Sequence, residues 1–407
     1  MDFLLAWRNL FRQPRRTWLT VGAIAFSNLI LVFLLSLQFG MYQMMLDSGL
    51  RPFTGHLQVQ NVDYLDGQKL RQTVPDAMTV AADLRQGLGM ETVAARAAGF
   101  ALASSEDRSY GVQVLGVDPV YEPKVSSVPG LVRQGRYLED FDAAEVVVGA
   151  VLAKNLRATV GDELTFLGSG RDGSFAAGVA EIVGIFESGV IDMDRSAVAI
   201  PLGYFQDTFA MENAGNSVVV TASSVFQVPE LEVMAASLIP GDESLVLRDW
   251  DELQPGLKQA IQSDLGSAMF MYAVLIVLVA FSVLNTQLMS VLERTKEFGV
   301  VMALGVSPGR LSRWVMLEAT LMGLMGAVIG IFGGLLLLLF FSRVGISFPG
   351  LEEMTAQYNL PARIYPQFSW LGLLLGPTFV LMGSLVAAIL PTFRIRRLEP
   401  VAAMRST

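Results

Sequence analysis

The sequence predicts an α-helical membrane protein with four transmembrane helices and a large α+β domain inserted between the first and second. Three observations carry that prediction. Residues 17–46, 265–292, 319–342 and 364–393 contain no Asp, Glu, Lys or Arg, and each exceeds the ~20 apolar residues a span needs. Charge is unevenly divided. Residues 47–264 hold 15 Lys/Arg against 31 Asp/Glu, a balance of −16, in a chain of 407 residues with a net charge of −9. That acidic segment also alternates short β-rich runs with turn signals, a pattern foreign to the apolar remainder.

Residues 1–46 form the first section. Phe3, Leu4, Trp7, Leu10 and Phe11 recur at helical spacing with Arg8, Asn9 and Arg12 opposite. This is a helix lying in the membrane interface, ended by Pro14; it either anchors the first span or also transmits force. The span at 17–46 far exceeds the 7–15 apolar residues of a signal peptide and lacks a small-residue cleavage site, so it is expected to remain as an anchor. At 30 and 28 residues, the uncharged stretches of the first two spans exceed the bilayer. Thirty helical residues reach about 45 Å against a ~30 Å hydrocarbon core. The excess either continues outward as paired stalks or is absorbed by tilt.

Residues 47–264 form the second section, long enough to bury a core of its own and possible to divide into two lobes. Strand signals fall at 57–60, 112–117, 145–148, 164–167, 182–186, 197–200 and 218–221, and helical patterns at 76–88, 202–211, 230–238 and 249–264. The segment 99–135 reads as an insertion in a larger lobe. His56 reads as a structural or surface histidine, since it is the one histidine in the chain. The acidic balance serves solubility or, alternatively, steering of a basic partner.

Residues 265–407 hold the remaining spans. Residues 293–304 make an amphipathic stretch ended by Gly305, a short helix at about 293–305 between two membrane helices. Ser307-Pro308 supplies an N-cap and N1 pair for the next helix. The third span carries Gly326, Gly330 and Gly334, and the fourth Gly372 and Gly376, all at four-residue spacing. Small residues let helices approach closely in lipid, so these glycines are expected to pack the third span against the fourth, or to form a homodimer seam. Arg8, Arg12, Arg15 and Arg16 precede the first span. Arg294, Lys296, Arg310 and Arg313 lie between the second and third, and Arg394, Arg396, Arg397 and Arg405 follow the fourth. Against the acidic residues nearby, that side balances to +7, which places both termini and the 293–313 loop in the cytoplasm and the acidic domain outside.

Several chemistries are excluded. No cysteine and one histidine leave no disulfide framework, thiolate site or multi-histidine metal site. An acidic balance without a basic, aromatic-interleaved groove argues against nucleic acid. No stretch matches G-x-x-x-x-G-K-[ST]; the nearest, at 168–174, lacks the lysine, so the chain has no nucleotide loop of its own. Glu318 stands near the entrance of the third span and no ionisable residue lies mid-span, whereas ion-coupled transporters need such groups in the membrane. Energy for transport must then come from another subunit.

ERTKEFGVVMALGVSPGRL (293–311) resembles the cytoplasmic coupling segment of MacB/FtsX-type ABC transporter permeases. The order of elements and the tail RRLEPVAAMRST (396–407) resemble that family too, as do EVVVGAVLAKNLRATVGDELTF (145–166) and AEIVGIFESG (180–189). Within it, GHLQVQN (55–61) and GVQVLGVDPVYEPKVSSVPGLVRQGRYL (111–138) are similar to lipoprotein-releasing permeases of the LolC/LolE kind.

The resemblance implies a non-catalytic permease subunit in a bacterial inner membrane. A second permease, identical or sister, and two ATP-binding subunits carrying ATP and Mg would complete it; the chain itself binds no cofactor. It further implies extraction of lipoproteins or lipid-linked cargo from the outer leaflet, with a periplasmic carrier as a possible receiver. Here 168–178 (GSGRDGSFAAG) stands in place of the longer Pro-rich hook of the carrier-binding permease. The expected ATPase contacts are Glu293, Arg294, Lys296, Glu297, Phe298 and Gly299, with Phe298 as the buried anchor; the bland alternative is a solvated loop. A cleft for acyl chains would draw on Phe33, Leu37, Met41, Met44 and Met45 with Met269, Phe270 and Met271, Met being adaptable to variable apolar ligands; residue by residue, lipid-facing or packing roles compete. Two other functions stay open: a mechanotransmitting permease for efflux or for regulating an extracellular enzyme, and a membrane-anchored sensor with no ATPase.

Overall fold

The computed structural model describes residues 2–12, 14–105, 108–239, 242–347 and 363–396. Arg397, Arg405 and the rest of the basic tail lie outside the described residues. The chain divides into two compact units, one holding most of the four long apolar helices and the other residues 43–260, which include the last turns of the first helix and the first turns of the second.

In the helical unit, Asp2–Leu10 forms the short interfacial helix. The spans are Pro14–Leu50, Pro255–Glu293, Pro308–Val344 and Trp370–Arg396. Three of the four begin at or beside proline, whose fixed φ suits the first helical turn and whose missing N–H costs nothing there. Ser307 sits extended (φ −69°, ψ 146°) ahead of Pro308 at the start of the third. The third helix reaches well beyond the 24 uncharged residues at 319–342 because Arg310, Arg313 and Glu318 are all helical. Pro377 and Pro391 are both accommodated inside the fourth.

The second unit is built on ten strands among the described residues. They are β1 (Leu57–Asn61), β2 (Val93–Ser105), β3 (Arg108–Val117), β4 (Val132–Gly135), β5 (Glu145–Gly149), β6 (Glu163–Ser169), β7 (Phe175–Phe186), β8 (Ala197–Pro201), β9 (Ser217–Val220) and β10 (Leu245–Asp249). β2 is the branch point. Its second half pairs with β6, which pairs in turn with β7, so that β2, β3, β8, β5, β7 and β6 close a ring. Its first half pairs with β9, which continues to β1 and β10. Most pairs are antiparallel; β3–β8 and β5–β7 are parallel. Phe166, Ile182, Val114 and Val198 fill one continuous core, in which Phe205 stacks on Phe209 with centroids 4.5 Å apart.

Six of the seven expected strand regions lie inside longer strands, and the seventh, expected at 218–221, is β9 at Ser217–Val220, shifted by one residue. β2, β4 and β10 are additional, and the sequence of β2 explains its case: six of its thirteen residues are alanine, a residue depleted in strands. Ala94, Ala95 and Ala97 are fully buried; a central strand covered on both faces leaves space for methyl groups only. The insertion expected at 99–135 is corrected by the same strand. Gly99 lies inside β2, opposite Val114 of β3, and the pairing runs through it without a break.

His56 is fully buried. Its Nδ1 accepts the Ala222 N–H at 3.2 Å, and burial holds its pKa below the ordinary 6.5. The sign follows from linkage. An unfolded chain takes up the proton first, so His56 costs stability as pH falls below about 6.5. Thermal unfolding of wild type and His56→Gln across pH 7.5 to 5 should show the wild type losing more. Parallel curves would refute the assignment.

Candidate functional site

The segment between the second and third spans folds into a tight corner. The second span ends at Glu293, the chain breaks direction at Arg294, and Thr295–Ala303 forms a separate helix. Gly305 then takes φ +93°, a conformation that glycine enters without a steric penalty, and Ser307-Pro308 starts the third span.

The corner helix is amphipathic, and its apolar face turns inward. Phe298 is 4% exposed and packs with Met302 against Val291, Leu311, Val315 and Ile395. Gly299 is buried as well. Phe298 therefore anchors the corner to this chain's own second, third and fourth spans. This corrects the expectation that it meets a partner: the strongest apolar residue of a helix goes where a core already surrounds it. The outward face carries Lys296, Glu297 and, one and two turns on, Val300 (51% exposed) and Leu304 (81% exposed).

Beneath the corner is a charge network that sequence reading missed. Glu318 is 6% exposed. It accepts from Arg294 Nη1 at 3.1 and 3.2 Å and from Asn9 Nδ2 at 2.9 Å. Arg294 also meets Glu297 at 3.5 Å and lies 5.1 Å from the Phe298 ring. Arg12 reaches Glu297 at 3.8 Å, and Arg16 reaches Glu293 at 3.3 Å. A cavity of about 170 Å³ opens among Arg12, Arg16, Gln287, Arg294 and Glu318. Of the expected contact residues, Glu293, Arg294 and Glu297 are thus engaged in ties to the interfacial helix, the first span and the third span. The available signal was an acidic residue one helical stretch past Pro308, spaced from an arginine that ends the preceding span.

The glycines have a different partner from the one expected. A Cβ at Gly326 would stand 2.6 Å from Ile24, one at Gly330 2.6 Å from the Ala25 carbonyl, and one at Gly334 2.8 Å from Val32. Gly372 faces Phe39, and Gly376 faces Leu31. All five receive the first span, which lies in the groove between third and fourth; the stripe is filled and offers no seam to a second copy. The third and fourth spans meet elsewhere, as at Gly323 against Leu381.

The expected cleft residues separate into two sets. Phe33 packs on Phe341 of the third span, centroids 5.4 Å apart, and Leu37 is buried. Both are occupied inside the bundle, which removes them from an open cleft. Met41, Met44 and Met45 are half-buried, while Met269, Phe270 and Met271 are exposed, Phe270 at 75%. A polar bridge joins the first and second spans at this level. Tyr272 Oη donates to Gln38 Oε1 at 2.7 Å, Gln38 Nε2 to Asp264 at 3.1 Å, and Tyr42 Oη to Asp264 at 2.8 Å.

Comparison with known proteins shows the family of the chain. Residues 17–236 match the MacB-like periplasmic core domain and residues 269–400 the FtsX-like permease C-terminal model. The chain is 23% identical over 321 residues to the lipoprotein-releasing system transmembrane protein LolC of Neisseria meningitidis, covering 75% of each. It is 26% identical over 321 residues to LolE of Haemophilus influenzae, again covering 75% of each. The periplasmic region of MacB from Actinobacillus actinomycetemcomitans aligns at TM-score 0.38 with 14% identity, over 53% of this chain and 98% of that one. With one model spanning more than half of the sequence and a second spanning the later helices, the chain belongs to the MacB/FtsX-type ABC transporter permeases, multi-pass membrane proteins whose family implies a separate ATP-binding subunit.

Proposed function

We propose that this permease converts the nucleotide-driven motion of two partner ATPase subunits into movement of its outer domain, and that it extracts lipoproteins or other lipid-linked cargo from the outer leaflet of the inner membrane. The observation that carries the reading is the corner helix. Its inner face is locked into three spans through Phe298 and Met302, and its outer face presents Val300 and Leu304. A partner that moves this helix moves the spans with it. The positive bias of the loops supports a cytoplasmic position for the corner and both termini. ATP and Mg bind the partner subunits; this chain, lacking a phosphate loop, does not hydrolyse nucleotide. A second permease, identical or sister, completes the pair.

The similarity to lipoprotein-releasing permeases supports lipidated cargo. Acyl chains would enter beside Met269, Phe270 and Met271, and the Gln38–Tyr42–Asp264–Tyr272 bridge would have to part for them. A mechanotransmitting role without a carrier is the second reading, and one feature favours it. The β6–β7 turn is a tight hairpin, closed by the Gly170 N–H on the Ser174 carbonyl at 2.9 Å and by Gly173 at φ +85°, with no projecting hook.

The test uses full-length permease co-expressed with its ATP-binding subunit. Leu304→Asp should reduce co-purification of the ATPase at least tenfold, a burial cost of ~1.4 kcal/mol or more, while leaving thermal stability intact because the side chain is exposed. Undiminished co-purification would sink the coupling assignment. A photocrosslinker at Phe270 should capture acylated protein. Capture of unacylated proteins alone would favour the second reading.

A further inference from the structure

One face of the sheet carries polar residues where strand pairing would bury apolar ones. On β1, β9 and β2, alternate residues such as Leu57, Val59, Val218 and Val93 enter the main core. Their neighbours on the opposite face are Gln58, Gln60, Ser217 and Arg96. Register sets Gln60 opposite Ser217 and Ser217 opposite Arg96, a polar row across three strands. Gln60 is 1% exposed, and its Nε2 has no hydrogen-bond partner among the described residues. A buried amide in that condition is costly, and native proteins rarely keep one without a reason.

The row borders a cavity of about 260 Å³. Gln58, Gln60, Gln68, Gln113 and Gln254 all line it, with Phe53, Tyr64 and Leu115 supplying apolar wall. Its one ionic lining residue is already compensated. Arg96 binds Glu122 through two nitrogens at 2.7 and 3.0 Å and donates to the Phe53 carbonyl. A charged ligand would therefore find no free counter-charge, and burying one unpaired is prohibitive. Carboxamides offer a donor and an acceptor side by side, the same pair a peptide bond presents. A hydroxyl carries one donor and two acceptor lone pairs; a hydroxyl-rich ligand is gripped most strongly where a free carboxylate takes the donor, and Glu122 directs both of its oxygens to Arg96. The volume is below the ~300 Å³ at which drug-sized sites begin, which suits a short stretch of a longer chain.

We propose that this cavity holds a short uncharged peptide segment of the cargo, whose backbone amides pair with Gln60 and with Gln113 beside it. The proposal rests on the reading that the cargo includes a polypeptide. Gln60 supplies the unmet donor and Gln113 flanks it on the same sheet face, while the Gln58 and Gln254 amides already donate to Thr54 at 2.6 and 3.1 Å.

The test is saturation-transfer NMR on the full-length protein in lipid nanodiscs, with acetyl-(Gly-Ser)3-amide and maltose as probes. Wild type and the control Gln86→Leu, an exposed helix position, should transfer saturation to the peptide. Gln60→Leu should reduce that transfer at least fivefold. Leucine keeps the volume and removes the unmet amide, so this variant should melt at or above the wild-type temperature. If it melts lower, Gln113→Leu, at a less buried position, takes its place with the same expected loss. Transfer to maltose but not to peptide, transfer to neither, or equal peptide transfer in all variants would each overturn the proposal. Failure of acylated protein to cross-link at Phe270, with peptide transfer intact, would count against lipidated cargo and leave this site standing.

Discussion

Glu318→Ala should destabilise the helical unit by about 3 kcal/mol, the lower end of what removing one partner of a buried ion pair costs. The loss is large because Arg294 stays behind at 16% side-chain exposure, and the Asn9 amide loses its acceptor as well. It stays near the lower end because Glu297, 3.5 Å away, offers Arg294 a second carboxylate. Thermal unfolding in detergent measures it. The double change Arg294→Met, Glu318→Leu should recover most of the stability, since a well-packed apolar pair replaces a buried ion pair at little cost. If the double variant is as unstable as the two single losses added together, the pair does not act as a unit. Activity separates packing from coupling. Under the proposed function, the stabilised double variant should still be impaired in cargo release, because the tie from the corner to the interfacial helix through Asn9 is gone.

Gly330→Leu should be more damaging still and should disrupt the bundle. Its Cβ would stand 2.6 Å from the carbonyl oxygen of Ala25. That atom belongs to helix backbone and cannot rotate away, so the first and third spans must separate. Overpacking alone typically costs ~1–3 kcal/mol, and here the loss extends to the close contacts at Gly326 and Gly334. The chain has no cysteine, which makes a direct assay simple. Cysteines introduced at Val21 and Met322, members of one apolar cluster, should cross-link in the otherwise wild-type protein and fail to do so with Gly330→Leu. Gly22→Leu is the control, since nothing lies within 4 Å of a Cβ there. Unchanged cross-linking in Gly330→Leu would remove the first span from the third-span groove.

The two predictions have a common structural basis. Asn9, Arg12 and Arg16 at the start of the chain tie to Glu318, Glu297 and Glu293, and the first span then fills the groove formed by the third and fourth. Through Asn9 and Glu318 the interfacial helix is joined to Arg294, the residue at which the corner helix begins. Packed and hydrogen-bonded groups thus run without a break from the corner helix into every span.

What the sequence by itself determined was local. Four charge-free stretches became four helices, because a backbone in lipid must satisfy its own hydrogen bonds. Gly305 and Ser307-Pro308 marked the turn and restart of the corner, since conformational preference and proline geometry act within a few residues. Runs of β-branched residues marked seven strands. The tertiary structure alone decided which groups meet. Glycine spacing shows that a helix surface is flat but does not say which helix lies on it. The pattern of Phe298 and Met302 shows an apolar face without saying whether the core that receives it belongs to the same chain. β2 escaped notice because alanine gives no strand signal until burial on both faces explains it, and the glutamine row exists only through the register of β1, β9 and β2. Asn9 and Glu318 are 309 residues apart; no local pattern links them, because the free energy of that contact arises from burial that folding itself creates.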